Sequence, residues 1–361
     1  MDGWRHPPFA GEIHDGYLWG RGAVDMKHMA AMSLVALFTL KRRGVRLSRD
    51  VIFAGVADEE IGGRFGAGYL VDHRPELIRA EYCMTEAGGI AVPMDKKIVV
   101  AVQTAQKGYV WFRMKARGEA GHGSKPKKDA AIERLAAAVL ELSRRPLEYR
   151  LTRTASAFLD CVARAQGGAG AAAIKALKSK ATARTALRLL PRERRETFNA
   201  MLHETAAVTG LVAGVNAANV IPSEASAVVD GRYLPGTTLE KFMSLVRGVV
   251  GPGIELEPFD SADGLETEAE GPLWDVIKSV MERRLPGCVV APNMITGMTD
   301  AKDYARLGIK TYGFSPIKLE KGESFAELYH APNERISVAG LEQGSSWLYD
   351  VVEEFAKVSA T

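Results

Sequence analysis

Cysteine is scarce. Cys83, Cys161 and Cys288 stand far apart in 361 residues and form no CxxC pair. That argues against a disulfide framework and against a thiolate zinc site, and it fits a reducing compartment. A cytoplasmic location is therefore expected, with a signal peptide on a longer N-terminus left open. Charge imbalance is small too. The net charge of +3 argues against a dedicated nucleic-acid or membrane-surface binder. No run of about 18 apolar residues occurs, so no transmembrane helix is expected. Aromatic residues are sparse where basic ones gather. Between Arg150 and Glu196 there are 11 Lys or Arg against 3 Asp or Glu, yet Phe158 is nearly alone. A solvated helical face explains this better than a nucleic-acid groove, which needs interleaved aromatics.

What is present is the balance of a globular protein long enough for two domains, with 47% apolar and 25% charged residues. "GYLWGRG" reads as a strand closed by glycines, and "DMKHMAAMSLVALFTLKRRG" as a helix capped at Gly44. "DVIFAGVA" is apolar throughout, the pattern of a strand buried on both faces of a parallel sheet. "AGYLVDHRPELI" reads as helix and "AEYCMTEAGG" as strand, so an α/β unit is expected. After residue 106, "KGYVWFRMKARGEAG" alternates like an antiparallel strand with one wet face. Helices follow, among them an Ala/Arg-rich stretch over about 150–210. "ASAVVDGRYLPG", "TLEKFMSLVRGVV" and "GIELEPFD" then give strand, helix, strand. The texture predicts an α+β domain inserted into the first, with α/β character resuming near residue 262.

Ligands in open α/β sheets sit beyond the carboxyl ends of strands. At such ends stand Asp25, the pair Glu59 and Glu60, and Glu86; His330 lies in the loop "ELYHAPNE". If the carboxylates converge, they need a cation or shifted pKa values. Carboxylate with imidazole suits zinc, with cobalt or manganese as alternatives. Each residue also has a plain structural reading. Asp25 serves equally as a helix N-cap, Glu86 as a solvated strand end, the Glu pair as loop charges, and His330 as a hydrogen-bonded structural histidine.

The motifs "GRGAVDMK", "DEEIGG", "TEAGG", "GHGSKP", "NVIPSEASAVVDGRYLPG", "GMTDAKDYARLGI" and "LYHAPNE" occur in that order across nearly the whole chain. The set resembles the dinuclear-zinc hydrolases that include aminoacylase, acetylornithine deacetylase, succinyl-diaminopimelate desuccinylase, carboxypeptidase G and cytosolic dipeptidases. The resemblance implies an α/β, mixed-sheet zinc-exopeptidase-like catalytic domain over 1–106 and 262–361. An inserted α+β, ferredoxin-like lid and dimerisation domain would occupy 107–261. It implies that Asp25 bridges two zinc ions, that Glu60 and His330 ligate one, and that Glu86 ligates the other. Glu59 would be the general base for water activated by the metals. His122 would reach the partner subunit's site in a homodimer and stabilise the oxyanion, and Asn219 and Arg232 would hold substrate. The implied reaction is hydrolysis of an amide bond in a small peptide or N-acyl amino acid. The long helical insertion favours the peptidase and acyl-amino-acid branch.

The chain departs from that pattern at one point. The family carries a His-x-Asp upstream, whose histidine completes the metal shared by Asp25 and Glu86, and no His-x-Asp occurs here. The expectation is a chain truncated at its N-terminus, with Met1 internal to a longer protein, or else a true short form with an incomplete site; the chain as given is expected to show weak or absent activity and at most one tightly held metal. His6 and His14 are nearby candidates for a replacement ligand, though both lie in segments that match the family loop. The alternative is a non-catalytic dimeric binding protein on the same fold; the retained Glu59 speaks against it.

Overall fold

In the computed structural model, residues 3–94, 97–214, 217–320, 323 and 325–358 are described; Met1 and Asp2 of the opening stretch lie outside them. Strand Ile98–Gln106 is the pivot of a six-stranded mixed sheet. Rich in Val and Ala, it is buried along most of its length. It runs parallel to Val289–Ile295 and antiparallel to Ile90–Pro93 and Leu265–Glu266, and it meets Lys310–Gly313 where Gly313 opposes Gln103. Lys310–Gly313 in turn runs parallel to Tyr82–Thr85, which ends just before Glu86. Helices Pro272–Arg284 and Val338–Lys357 cover one face, closing a core that includes Val100, Val102, Ile277, Met281, Tyr312, Phe314 and Val351.

A second, antiparallel sheet has the order Ile254–Ala262, Gly108–Arg117, Glu224–Tyr233, Thr205–Ala213. Helices Ala131–Arg144 and Leu239–Val250 pack on it through Leu135, Leu142, Phe242 and Val246. The chain crosses between the sheets at Lys107, which is fully buried. Its Nζ donates to the His203 carbonyl at 2.7 Å and to the Thr205 hydroxyl at 3.2 Å. Burial pushes that ammonium down to about 7.

The Ala/Arg-rich stretch forms four helices between Arg153 and Leu202, and strand Thr205–Ala213 then begins, earlier than the sequence pattern suggests. Helix Arg153–Gln166 turns Ala155, Leu159, Cys161 and Val162 inward. That face packs on Val99, Ala105, Ala291 and Met294, all in the six-stranded sheet. The insertion therefore covers that sheet, although in the chain it follows elements of the other one.

One expectation needs correction. Residues 51–57 are not a strand: they carry no ladder among the described residues, with Ile52 50% and Phe53 39% exposed. An apolar run becomes a buried strand only when neighbours take its N–H and C=O groups, and no described strand pairs with it. The stretch Ala23–Arg42 is long and apolar enough to cross a membrane by length and composition alone. Here one side of it, Met29, Met32, Ala36 and Leu40, packs against Leu348, Tyr349 and Val351 of the last helix.

The turn after residue 57 depends on close backbone approach. A Cβ on Gly66 would collide with the carbonyl oxygen and nitrogen of Ala57. Gly66→Ala is thus expected to cost about 1–3 kcal/mol and to displace the Glu59–Glu60 turn; chemical denaturation measures the first effect and metal titration the second.

Candidate active site

Glu59 and Glu60 sit in a single tight turn, Glu59–Ile61, and not at the end of a strand. Asp58 builds the turn. Its φ is +57°, its carbonyl accepts from Ile61 and Gly63, and its carboxylate accepts from the Phe65 N–H at 2.9 Å. Asp58 thus stabilises the loop that carries the two glutamates. Gly62 and Gly63 follow at φ +107° and +70°. A side chain on Gly63 would strike the Asp300 carboxylate.

Asp25 lies in an irregular turn, Ala23–Lys27, ahead of helix His28–Arg42. It is not that helix's cap, since the N-cap residue is Lys27 and no side chain caps the end. His330 occupies a turn at φ +57°. Its Nε2 stands 3.0 Å from Asp25 Oδ2 and 3.1 Å from Glu60 Oε2. One ligand atom from each of Asp25, Glu60 and His330 lies within 4.8 Å of the others.

Glu59 and Glu86 complete the cluster. Burial first, then the charges of Asp300, Glu60 and Asp25, push Glu59 up to about 7. Glu86 is driven well above the usual carboxylate range, by burial first, then by Glu59 and Asp25, and by a hydrogen bond with Asp25. Asp300, beneath Gly63, rises to about 6, mainly through burial. Carboxylates that gather like this, with an imidazole on the open side, fit a divalent cation by donor chemistry: hard oxygens and one nitrogen.

The remaining predicted residues lie apart. His122 and Asn219 are exposed and adjacent: His122 lies on the ladder of Gly121–His122 with Val220–Ile221, and Asn219 just precedes the second strand. Asn219 Nδ2 is 3.4 Å from His122 Nε2, and His122 Nδ1 is 2.8 Å from the Ser124 hydroxyl. No hydrogen bond or ion pair among the described residues links either to the carboxylates. Arg232 donates two bonds to Asp230, at 2.6 and 2.9 Å, and stacks over Tyr109. The Tyr109 hydroxyl lies close to Gly62, so this face of the second sheet approaches the Glu59–Glu60 turn. His6 and His14 do not replace a ligand beside Glu86. They stack on each other, next to Glu12.

Glu334 was missed. It is fully buried and accepts from Arg21 at 2.9 Å and from the backbone N–H groups of Gly22, Val24 and Asp25 at 2.9, 2.9 and 3.1 Å. One carboxylate thus clamps the turn that presents Asp25 to the segment that presents His330. The signal was an acid four residues after His330 in "HAPNE", which only the loop geometry makes meaningful.

Residues 1–354 match peptidase family M20/M25/M40. The chain belongs to that family. It is a hydrolytic enzyme of the metallopeptidase class, and the family is generally metal-dependent. A probable carboxypeptidase S-like protein of Dictyostelium discoideum is 28% identical over 99% of this chain and 69% of its own length. Aminoacylase-1A of Rattus norvegicus is 26% identical over 99% of this chain and 77% of its own. Among solved structures, the M20 metallo-carboxypeptidase Sso-CP2 from Sulfolobus solfataricus superposes with a TM-score of 0.68 at 18% identity, covering 98% of this chain and 81% of that one. Human carnosine dipeptidase 1 gives 0.66 at 14% identity, over 99% and 77%. These likenesses bear out the mixed α/β fold.

Two outcomes are expected. A raised carboxyl keeps its proton in the folded state after the unfolded chain has lost it, so its stabilising contribution is present at low pH and is lost as pH rises. Metal-free protein should therefore lose thermal stability from about pH 5 to about pH 8, and Glu86→Gln should flatten that slope in a calorimetric pH series. Glu334→Ala should cost about 3 kcal/mol or more and weaken metal binding, read by urea unfolding and metal titration; an unchanged metal affinity would contradict the clamp.

Proposed function

We propose that this chain hydrolyses the amide bond of small peptides or N-acyl amino acids. The observation that carries the reading is the meeting of Asp25, Glu60 and His330 at one point with Glu59 and Glu86 beside it. Relatives with carboxypeptidase and aminoacylase names support the substrate class. Asp25, Glu60 and His330 would hold one zinc ion and Asp25 with Glu86 would contact a second, with cobalt or manganese as alternatives. Such an ion supplies a Lewis acid that makes water a better nucleophile and polarises the carbonyl.

Glu59 takes a proton from the attacking water and returns it to the leaving amine. Near 7 its carboxyl is poised to do both, and a cation beside it would lower the value again. His122 supplies a hydrogen-bond donor to the oxygen on which negative charge develops. Its exposure beside Asn219 supports presentation to a second subunit, with the four-stranded sheet as lid and homodimer interface. A substrate carboxylate would compete with Asp230 for Arg232. The crossing at Lys107 supports a division into a catalytic unit, 1–106 with 262–361, and a lid within 107–261. Cys83, Cys161 and Cys288 are free thiols, which supports a cytoplasmic setting. A purely binding role has no use for Glu59 and is not favoured by hydrolase relatives.

Glu59→Gln is expected to lower kcat on N-acyl amino acids or dipeptides by about 10²–10⁴-fold while metal content holds. Turnover unchanged by that substitution, or undiminished after exhaustive chelation, would sink the proposal.

A further inference from the structure

We propose a further metal site, built by His6, Glu12 and His14 and selective for a zinc-class divalent transition metal. It rests on residues outside the carboxylate cluster and does not depend on the hydrolytic reading. None of the three makes a hydrogen bond or ion pair with Asp25, Glu60 or His330 among the described residues. The group is instead held by a hairpin. Asp15 and Gly16 both have positive φ, +52° and +80°, which is the two-residue turn that Asp-Gly favours. The turn sets Ile13 opposite Leu18 and His14 opposite Tyr17. Trp19, 5% exposed, is the floor. Two donations fix it: its backbone N–H to the Glu12 carbonyl at 2.9 Å and its indole N–H to the His14 carbonyl at 3.2 Å. The His6 ring leans on the indole, with centroids 4.7 Å apart.

On that floor the His14 Nε2 lies 2.8 Å from Glu12 Oε2, and the His6 and His14 rings stack with centroids 3.9 Å apart. One ligand atom from each of the three falls within 4.8 Å of the others. A tetrahedral zinc ion with bonds of roughly 2.0–2.1 Å wants its ligands ~3.3 Å apart. The carboxylate–imidazole pair is already near that spacing. The two stacked rings must turn about their Cβ–Cγ bonds until their in-plane lone pairs converge, and partial exposure leaves them room to do so. Two imidazoles and one carboxylate select zinc, nickel or copper over calcium and magnesium, which prefer oxygen alone. The three protein ligands leave a fourth position for water.

The site also has a position in the fold that gives it a consequence. The Arg5 N–H donates to Asn333 Oδ1 at 2.7 Å, and Asn333 Nδ2 donates to the Gly3 carbonyl at 2.8 Å. Asn333 lies between His330 and Glu334. A metal that locks His6 to the hairpin thus tethers the segment joined to the turn that presents His330.

The test is Zn²⁺ titration of untagged, metal-stripped protein by calorimetry, with metal content checked by mass spectrometry. Two variants separate the sites. His6→Ala with His14→Ala should remove one binding event, or weaken it at least 100-fold, and abolish its share of the Zn²⁺-induced rise in melting temperature. Glu60→Gln with His330→Ala should keep that event. Glu12→Gln should weaken it with less structural change, and guards against a double variant that fails to fold. Mg²⁺ should not compete. The proposal is overturned if the double histidine variant, folded by circular dichroism, binds Zn²⁺ with the parent's stoichiometry and affinity, or if the Glu60/His330 variant binds none.

Discussion

Mutual repulsion among carboxylates is the constraint around which this molecule is arranged. Two unit charges about 4 Å apart repel by roughly 1–4 kcal/mol at effective dielectrics between those of water and a protein surface. Asp25, Glu59, Glu60 and Glu86 bear that repulsion together. Burial first, and this repulsion with it, shift Glu59 and Glu86 upward, toward the protonated form. A bound cation would meet the repulsion by neutralisation. The same crowding that opposes folding at high pH is what makes the site a strong place for a metal.

Such a cluster persists only if the backbone beneath it is held by other means. Glu334 ties down the Asp25 turn with three backbone hydrogen bonds, and Arg21 balances its charge. Asp58 closes the Glu59–Glu60 turn from inside. Gly63 lets that turn approach Asp300, and Gly66 lets it approach Ala57. These residues convert a repelling set of side chains into a fixed one, which is the preorganisation that hydrolysis of a stable amide requires.

Much of the site was legible in the sequence because it is written in short motifs at strand ends and turns. Asp25, Glu60 and His330 come from distant parts of the chain, yet each sits in a local pattern that marks it. What was not legible is what depends on neighbours. "DVIFAGVA" has strand composition but no described ladder, because composition does not say whether partners lie alongside. The strands Ile98–Gln106 and Val289–Ile295, central to the sheet, are not among the elements expected from the sequence, although Ile98, Val99, Val100 and Val102 give the first a β-branched pattern. The Ala/Arg-rich helices gave their type but not the sheet they cover, since an apolar helical face fits either. Glu334 looked like one more loop acid until its burial was seen, and His6 and His14 met only once the hairpin was formed.

The claim that a cation resolves the crowding is most directly tested by counting protons. Zn²⁺ is titrated into metal-free protein carrying His6→Ala and His14→Ala, near pH 7.5, in buffers of different ionisation enthalpy. If Glu59 and Glu86 hold protons that the metal displaces, binding should release about one proton per ion, and Glu86→Gln should reduce that release. Proton-neutral binding, unaltered by Glu86→Gln, would contradict the account.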